Sequence, residues 1–224
     1  MDMDIIELEI KRSLEEEGCP VCRLIERFER EEIETILYEH PNDPEVRKAF
    51  QKSLGLCPRH AWKTLKLALS NPLLGPHGIS VIYKDVLKWY LEGGQGTGEC
   101  LLCKLSSEKE ETLLESFSGR LSSFIDLYEK SPSLLCRRHY EEIVNRIDDE
   151  ELKGKLEQIQ RRKLEELFKR LERFIHSFDY RAEGKPSEEE RRALAETVEF
   201  FAGREVGPGC RERRREKRWS LRLR

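Results

Sequence analysis

Residues 18–24 read GCPVCRL and residues 99–105 read ECLLCKL, so a Cys-x-x-Cys pair occurs twice in the chain. A Cys-x-x-His pair also occurs twice, in LGLCPRH at residues 54–60 and in SLLCRRH at residues 133–139. The cysteine pairs are 81 residues apart and the histidines 79, so a two-residue deletion in the second copy accounts for the difference. These repeats indicate an internal duplication of about 80 residues.

Each copy supplies three cysteines and one histidine, a donor set that zinc commonly takes in proteins. The simplest interpretation is one zinc ion in each copy. The ligands of the first ion are then Cys19, Cys22, Cys57 and His60. The ligands of the second are Cys100, Cys103, Cys136 and His139. Protein side chains fill all four positions of each site, which is typical of a structural zinc rather than a catalytic one.

The residues around the ligands predict where the helices begin. Proline follows Cys19 and Cys57, and proline favours the first turn of a helix. Both cysteines are therefore expected at helix N-termini, with Cys22 and His60 one turn further on. The helix dipole favours negative charge at that end, which suits thiolate ligands. Cys100 lacks the following proline, so this signal is missing in the second copy.

Other interpretations of these cysteines remain open. A disulfide within each Cys-x-x-Cys pair is one, although it leaves the repeated Cys-x-x-His pairs unexplained. An iron–sulfur cluster with three cysteines and one histidine is another, and ordinary buried cysteines are a third. Cys210 has no counterpart in the repeat and is interpreted as a free thiol. The remaining histidines are isolated, and we interpret them as ordinary turn or helix residues: His40, His77 and His176.

Apolar residues recur every three or four positions along nearly the whole chain, which predicts an all-α fold. Asp43 is expected to cap a helix after a proline turn. A long helix is predicted over 149–179, and a closing helix follows a capping box that begins at Ser187. The predicted organisation is a first zinc module at 1–78, a second at 79–147, the long and closing helices at 148–203, and a basic tail at 204–224.

Composition limits the class of protein. Charged residues make up 38% of the chain and the net charge is −3, so the protein as a whole is not a polycation. Neither a basic, apolar leader nor a stretch long enough to span a membrane appears, so we expect a cytoplasmic protein whose thiols stay reduced. The abundance of Glu, Lys and Arg is also typical of thermophiles. The tail carries a net charge of +6 and one tryptophan, which suits nucleic acid. We favour the alternative that it is a disordered, solubilising end or one that docks on the acidic body of the protein itself.

The sequence resembles a family of uncharacterised prokaryotic proteins, a domain of unknown function with paired Cys-x-x-Cys and Cys-x-x-His motifs. The resemblance covers about residues 4–205, and the basic tail and the missing proline after Cys100 depart from the family pattern. It implies a helical metal-binding protein and no known activity. The residues that carry the resemblance are the ligand motifs quoted above, Asn42-Asp43-Pro44, and Glu199-Phe200-Phe201-Ala202-Gly203.

The sequence therefore predicts a zinc-binding, non-enzymatic scaffold or interaction module with an unidentified protein partner. A redox protein with iron–sulfur clusters or reactive thiols is the first alternative. Nucleic-acid binding through the tail is the second. The long predicted helix offers a surface for a homodimer, although we expect it to pack on its own bundle.

Overall fold

The computed structural model describes residues 5–179 and 185–204, and this part of the chain is all-α, as predicted. Its regular elements are ten helices, and one isolated backbone bridge joins Gly18 to Ser133. The helices are α1 (Ile5–Leu14), α2 (Pro20–Tyr38), α3 (Pro44–Lys52), α4 (Pro58–Ser70), α5 (His77–Leu91), α6 (Leu101–Gly119), α7 (Leu121–Lys130), α8 (Arg137–Val144), α9 (Glu150–His176) and α10 (Glu188–Ala202). The basic tail and Cys210 lie outside the described residues.

The chain divides into two compact units that do not coincide with consecutive modules. Of the described residues, unit 1 comprises 5–24, 110–179 and 185–204, and unit 2 comprises 25–109. The divisions fall inside α2 and α6, the two helices that begin at a Cys-x-x-Cys pair. Each unit is therefore assembled from segments of both sequence copies.

The core of unit 2 forms where α2, α3, α4 and α5 bury their apolar faces. Phe50 of α3 is fully buried and meets the ring of Tyr83 edge-on, with ring centroids 6.2 Å apart. Ile33 of α2 and Ile82 of α5 belong to the same buried cluster. Asp43 accepts hydrogen bonds from the backbone N–H groups of the first turn of α3, which confirms the predicted cap.

The core of unit 1 is built on aromatic side chains. The Phe117 and Phe124 rings are fully buried, with their centroids 5.5 Å apart. Tyr128 is also buried, and its hydroxyl accepts a hydrogen bond from the N–H of Leu135 and donates one to Gln160. These contacts hold the segment before Cys136 against α7 and α9.

The two C-terminal helices begin and end close to the predicted positions. Asp149 caps α9, which runs to His176. Ser187 and Glu190 form the predicted capping box of α10, and Gly203, at a φ of 73°, ends that helix. α10 packs against α8 and α9 within unit 1.

Candidate metal centres

All eight predicted ligands lie in two clusters, but not in the predicted combination. The unit 1 cluster contains Cys19, Cys22, Cys136 and His139. The unit 2 cluster contains Cys57, His60, Cys100 and Cys103. The prediction that each sequence copy holds its own four ligands is therefore wrong, because each cluster takes its Cys-x-x-Cys pair from one copy and its Cys-x-x-His pair from the other.

The lengths of the helices explain why each cluster combines ligand pairs from different sequence copies. α2 has 19 residues, about 28 Å, whereas α3 has nine, about 13 Å, so α3 returns the chain only to the middle of α2. His60 consequently lies beside Glu29, in the third turn of α2, rather than beside the first turn. In the second copy, α7 has ten residues and α6 has 19, so His139 lies beside Glu110 in the middle of α6.

The donor atoms of the unit 1 cluster are regularly arranged and buried. Nδ1 of His139 lies 3.3 Å from Sγ of each of the three cysteines. Sγ of Cys22 lies 3.8 Å from Sγ of Cys136. All four side chains are buried, so solvent is excluded from the point on which the donors converge.

The unit 2 cluster repeats this arrangement. Nδ1 of His60 lies 3.4 Å from each of the three sulfur atoms. Sγ of Cys57 lies 3.6 Å from Sγ of Cys103. The cysteines of both clusters are free thiols, so the structure contains none of the disulfides considered for the Cys-x-x-Cys pairs. Each cluster can hold one metal ion.

Helix starts position the ligands as predicted. α2 and α4 begin at the proline that follows Cys19 and Cys57. α6 and α8 begin directly after Cys100 and Cys136, even though no proline marks those positions. Cys57 and Cys136 have nearly the same extended N-cap conformation, with φ and ψ of −61° and 159° and of −67° and 157°. The second ligand of each pair is three residues further on, one helical turn away, and points to the same place.

A buried carboxylate stands behind each histidine. Oε1 of Glu29 lies 3.1 Å from Nε2 of His60, and Oε1 of Glu110 lies 2.8 Å from Nε2 of His139. Both glutamates are almost fully buried. Metal-binding histidines in proteins commonly donate their second ring N–H to such a carboxylate, which fixes the tautomer and the orientation of the ring.

Sequence reasoning missed these glutamates, because the acidic run that begins at Glu29 resembles a solvated helix face. The available signal was the repeat. Glu29 is seven residues after Cys22, and Glu110 is seven residues after Cys103. The two glutamates are thus separated by the same 81 residues as the cysteine pairs, which makes them part of the duplicated motif.

An arginine precedes each histidine and contacts the same carboxylate. Arg59 donates to Glu29 at 2.7 Å, and Arg138 donates to Glu110. Lys63 adds a second cation in unit 2, 2.7 Å from Oε2 of Glu29. These basic residues therefore offset the charge of the carboxylates that support the histidines.

The electrostatics of the unit 2 cluster favour ionised side chains. Burial opposes ionisation of Glu29, but hydrogen bonds with His60 and Lys63 outweigh it and lower the pKa of Glu29 to about 2. Burial also disfavours the charged form of His60, yet its contacts with Cys100, Cys57 and Glu29 raise its pKa to about 10. A metal ion would compete with a proton for Nδ1, the atom on which the sulfur atoms converge.

The unit 1 cluster behaves in the same way. Burial disfavours the charged form of His139, but its contacts with Cys136, Cys22 and Glu110 raise its pKa well above the ordinary value. Contacts with Cys19 and Cys22 lower the pKa of Cys136 despite its burial. Hydrogen bonds from Cys100 and Cys103 likewise lower the pKa of Cys57 in unit 2, whereas burial raises the pKa of Cys19 in unit 1. Each cluster thus stabilises one thiolate, at the N-cap cysteine next to the imidazole.

The other histidines of the sequence are outside both clusters. His40, His77 and His176 belong to none of the candidate metal-binding groups within residues 5–179 and 185–204. The glycine-rich segment 93–98 forms the loop between α5 and α6. The N–H groups of Thr97 and Gly98 both donate to the carbonyl of Lys52 at 2.8 Å, so this loop is tied to the end of α3.

The fold and the site define a helical protein with two buried Cys3His clusters, each supported by a carboxylate. Residues 97–207 match the model of DUF6062, a family of unknown function, which confirms the predicted resemblance to an uncharacterised family. The chain is also 26% identical over 209 residues to an uncharacterised 23.9 kDa protein in the xynA 3′ region of Caldicellulosiruptor sp. (strain Rt8B.4). That similarity covers 85% of this chain and 98% of the relative. No solved structure matches the chain significantly.

Within the described residues, no helix combines the length and the apolar character needed to cross a bilayer.

Proposed function

We propose that each cluster binds one zinc ion and that these ions hold together a non-enzymatic scaffold or interaction module. The observation that carries the proposal is the same assembly in both units: three thiols around Nδ1 of a buried histidine whose Nε2 faces a buried carboxylate. Zinc accepts this donor set, and the carboxylate would keep the histidine in the tautomer that leaves Nδ1 unprotonated.

The distances between donor atoms support a single tetrahedral ion. Zinc–sulfur bonds of about 2.3 Å and zinc–nitrogen bonds of about 2.0 Å place two sulfurs about 3.8 Å apart, and sulfur and nitrogen about 3.5 Å apart. The observed separations are 3.6–3.8 Å and 3.3–3.4 Å. The side chains need to move by only a few tenths of an ångström to hold the ion.

The filled coordination positions argue for a structural role. A catalytic zinc keeps one position for water or substrate, whereas four protein donors surround each of these points. Zinc bound in this way contributes on the order of 10 kcal/mol to folding in small metal-dependent domains. Each ion would join two helix N-termini, α2 and α8 in unit 1 and α4 and α6 in unit 2.

An iron–sulfur cluster is the competing function. Such a cluster distributes its protein ligands over two or more iron atoms, so the donors stand further apart than donors on one ion. All donor atoms of each group here lie within 4.8 Å of one another. This compactness favours a mononuclear site.

Metal analysis of the purified protein, together with its visible spectrum, tests the proposal. We expect two zinc ions per chain and a colourless protein. The Cys57→Ser variant should hold one ion as tightly as the wild type and the other about a hundredfold more weakly. The Cys210→Ser variant, which alters the cysteine outside the repeat, should hold both ions at wild-type affinity. A brown protein that contains iron and inorganic sulfide would show that the redox alternative is correct.

The interaction role is supported by apolar side chains on the surface of unit 1. Phe168 of α9 and Phe201 of α10 are 60% and 63% exposed and border one groove between these helices. Exposed apolar patches of this kind commonly mark protein interfaces. If a second copy of the chain covers this groove, the wild-type protein should sediment with the mass of a dimer and the Phe168→Glu variant with the mass of a monomer. A wild-type protein that sediments as a monomer would contradict self-association.

A further inference from the structure

The two metal centres differ in how they are closed from solvent. Cys136 of unit 1 is 1% exposed, whereas its counterpart Cys57 of unit 2 is partly exposed. Both residues are N-caps with almost the same backbone conformation. The difference therefore comes from what packs around each centre and not from the local motif.

In unit 1, the end of α10 closes the centre. Oε1 of Glu199 accepts a hydrogen bond from the N–H of Cys19 at 2.9 Å and pairs with Arg204 at the same distance. A Cβ added to Gly203 would lie 3.7 Å from Sγ of Cys22, in ordinary van der Waals contact, so the end of α10 lies next to this ligand. α10 also packs against α8, the helix that carries His139. The duplication contains no second helix of this kind, because α10 follows the two repeats.

In unit 2, the described chain passes from α5 through the glycine-rich loop into α6 without such an additional helix. His60, Cys100 and Cys103 are buried, so Cys57 is the one ligand of this cluster that reaches the surface. Sγ of Cys57 lies 3.6 Å from Sγ of Cys103. A reagent that enters from solvent therefore meets Cys57 first and has a second thiol directly behind it.

We propose that the unit 2 centre is a hydroperoxide-reactive metal centre, with Cys57 as the point of attack and Cys103 as its resolving partner. The proposal rests on the proposed function, since it requires zinc in both centres. A zinc-bound thiolate remains a nucleophile, and access decides which one reacts.

The reaction consumes one hydroperoxide. The Cys57 thiolate attacks one peroxide oxygen, the O–O bond breaks, and a sulfenic acid and one hydroxide form. The Cys103 thiolate then attacks the Cys57 sulfur, a disulfide bond forms, and a second hydroxide leaves. The two thiolates lose two electrons in total and the peroxide gains them. A zinc ion held by this cluster would keep only His60 and Cys100 of its four ligands, without change of its own oxidation state.

The test uses the full chain with its zinc content measured first. Hydrogen peroxide is added, zinc release is followed with a chromogenic chelator, and the cysteines are mapped by mass spectrometry after one equivalent has been released. We expect two phases of one ion each, with the first roughly tenfold to a hundredfold faster, because the unit 2 centre lacks the supporting contact that Glu199 makes in unit 1 and such contacts change metal affinity or activity on that scale. The mapped protein should contain a Cys57–Cys103 disulfide, with the unit 1 cysteines still reduced.

Two variants separate closure by α10 from a general loss of stability. Glu199→Ala removes the contact to the Cys19 N–H and should accelerate the slow phase while leaving the fast phase unchanged. Glu165→Ala removes an exposed carboxylate that pairs with Arg161 on α9 and should change neither phase.

The outcomes also separate this inference from the proposed function. Equal release rates for the two ions, or first oxidation at Cys19, Cys22 or Cys136, would overturn the inference while leaving two structural zinc ions. A zinc content below two per chain before peroxide is added would refute the proposed function, and this inference with it.

Discussion

The exchange of ligands between the two sequence copies can be tested with pairs of cysteine substitutions. In the structure, Cys22 and Cys136 belong to one cluster, so a Cys22→Ser/Cys136→Ser variant damages unit 1 alone. Cys22 and Cys57 belong to different clusters, so a Cys22→Ser/Cys57→Ser variant damages both. Pairing within each copy would require the reverse pattern.

The size of the effect follows from the number of ligands lost. Structural zinc contributes about 10–16 kcal/mol through four ligands, so one ligand accounts for on the order of 3 kcal/mol, or about a hundredfold in affinity. The Cys22→Ser/Cys136→Ser variant should therefore keep one ion at the affinity of the wild-type protein and lose the other. The Cys22→Ser/Cys57→Ser variant should keep two sites, each weakened about a hundredfold.

Titration with a competing chelator measures this difference directly. The Co²⁺-substituted proteins provide a second readout, because an intact site with three thiolates has stronger charge-transfer absorption than a site with two. One ion of wild-type affinity in the Cys22→Ser/Cys57→Ser variant, with none in the Cys22→Ser/Cys136→Ser variant, would refute the crossed assignment. The distance of 3.8 Å between the sulfur atoms of Cys22 and Cys136 would then have no role in metal binding.

Three further changes test the surroundings of the clusters. Glu110→Gln removes the charge behind the unit 1 histidine and should weaken metal binding there about 10- to 100-fold in chelator competition, with the unit 2 ion unaffected. Gly18→Ala should lower the free energy of unfolding more than Gly93→Ala, as measured in urea. Both glycines have a φ of 85°, which costs an alanine about 1–2 kcal/mol, but only at Gly18 would the new Cβ collide with a carboxylate, at 2.5 Å. Tyr128→Phe leaves the buried N–H of Leu135 without its hydroxyl partner and should cost about 1–3 kcal/mol in the same measurement, while an unchanged unfolding midpoint would show that this hydroxyl does not stabilise the fold.

Much of the site can be predicted because its signals are local. Cys19 and Cys22 are one helical turn apart, and so are Cys57 and His60, so short-range spacing alone indicates which side chains converge. The caps of α3 and α10 are equally local, since Asp43 and Ser187 each bond to N–H groups two or three residues further on. The duplication strengthens the prediction of the ligands, because the whole pattern occurs twice.

The carboxylates that contact the histidines could also have been predicted from spacing in the sequence, but the charged residues around them suggest a solvent-exposed helix face. Glu29 opens a run of mostly charged residues, and a run of this composition usually faces solvent. Only one position in that run is buried against an imidazole, and its constant distance from the preceding cysteine was the distinguishing feature. Repeat position was therefore a better guide than local charge.

The all-α class and the identity of the eight candidate donors follow from spacing along the chain. The combination of donors into clusters does not, since either Cys-x-x-His pair satisfies either Cys-x-x-Cys pair chemically. That choice depends on α3 and α7 being about half the length of α2 and α6, which returns each histidine to the middle of a helix instead of its start. The closure of the unit 1 centre by α10 is likewise a long-range contact, between Cys19 and Glu199, which are 180 residues apart. Local chemistry specified what can bind a metal, and the packing of helices of unequal length specified which side chains meet.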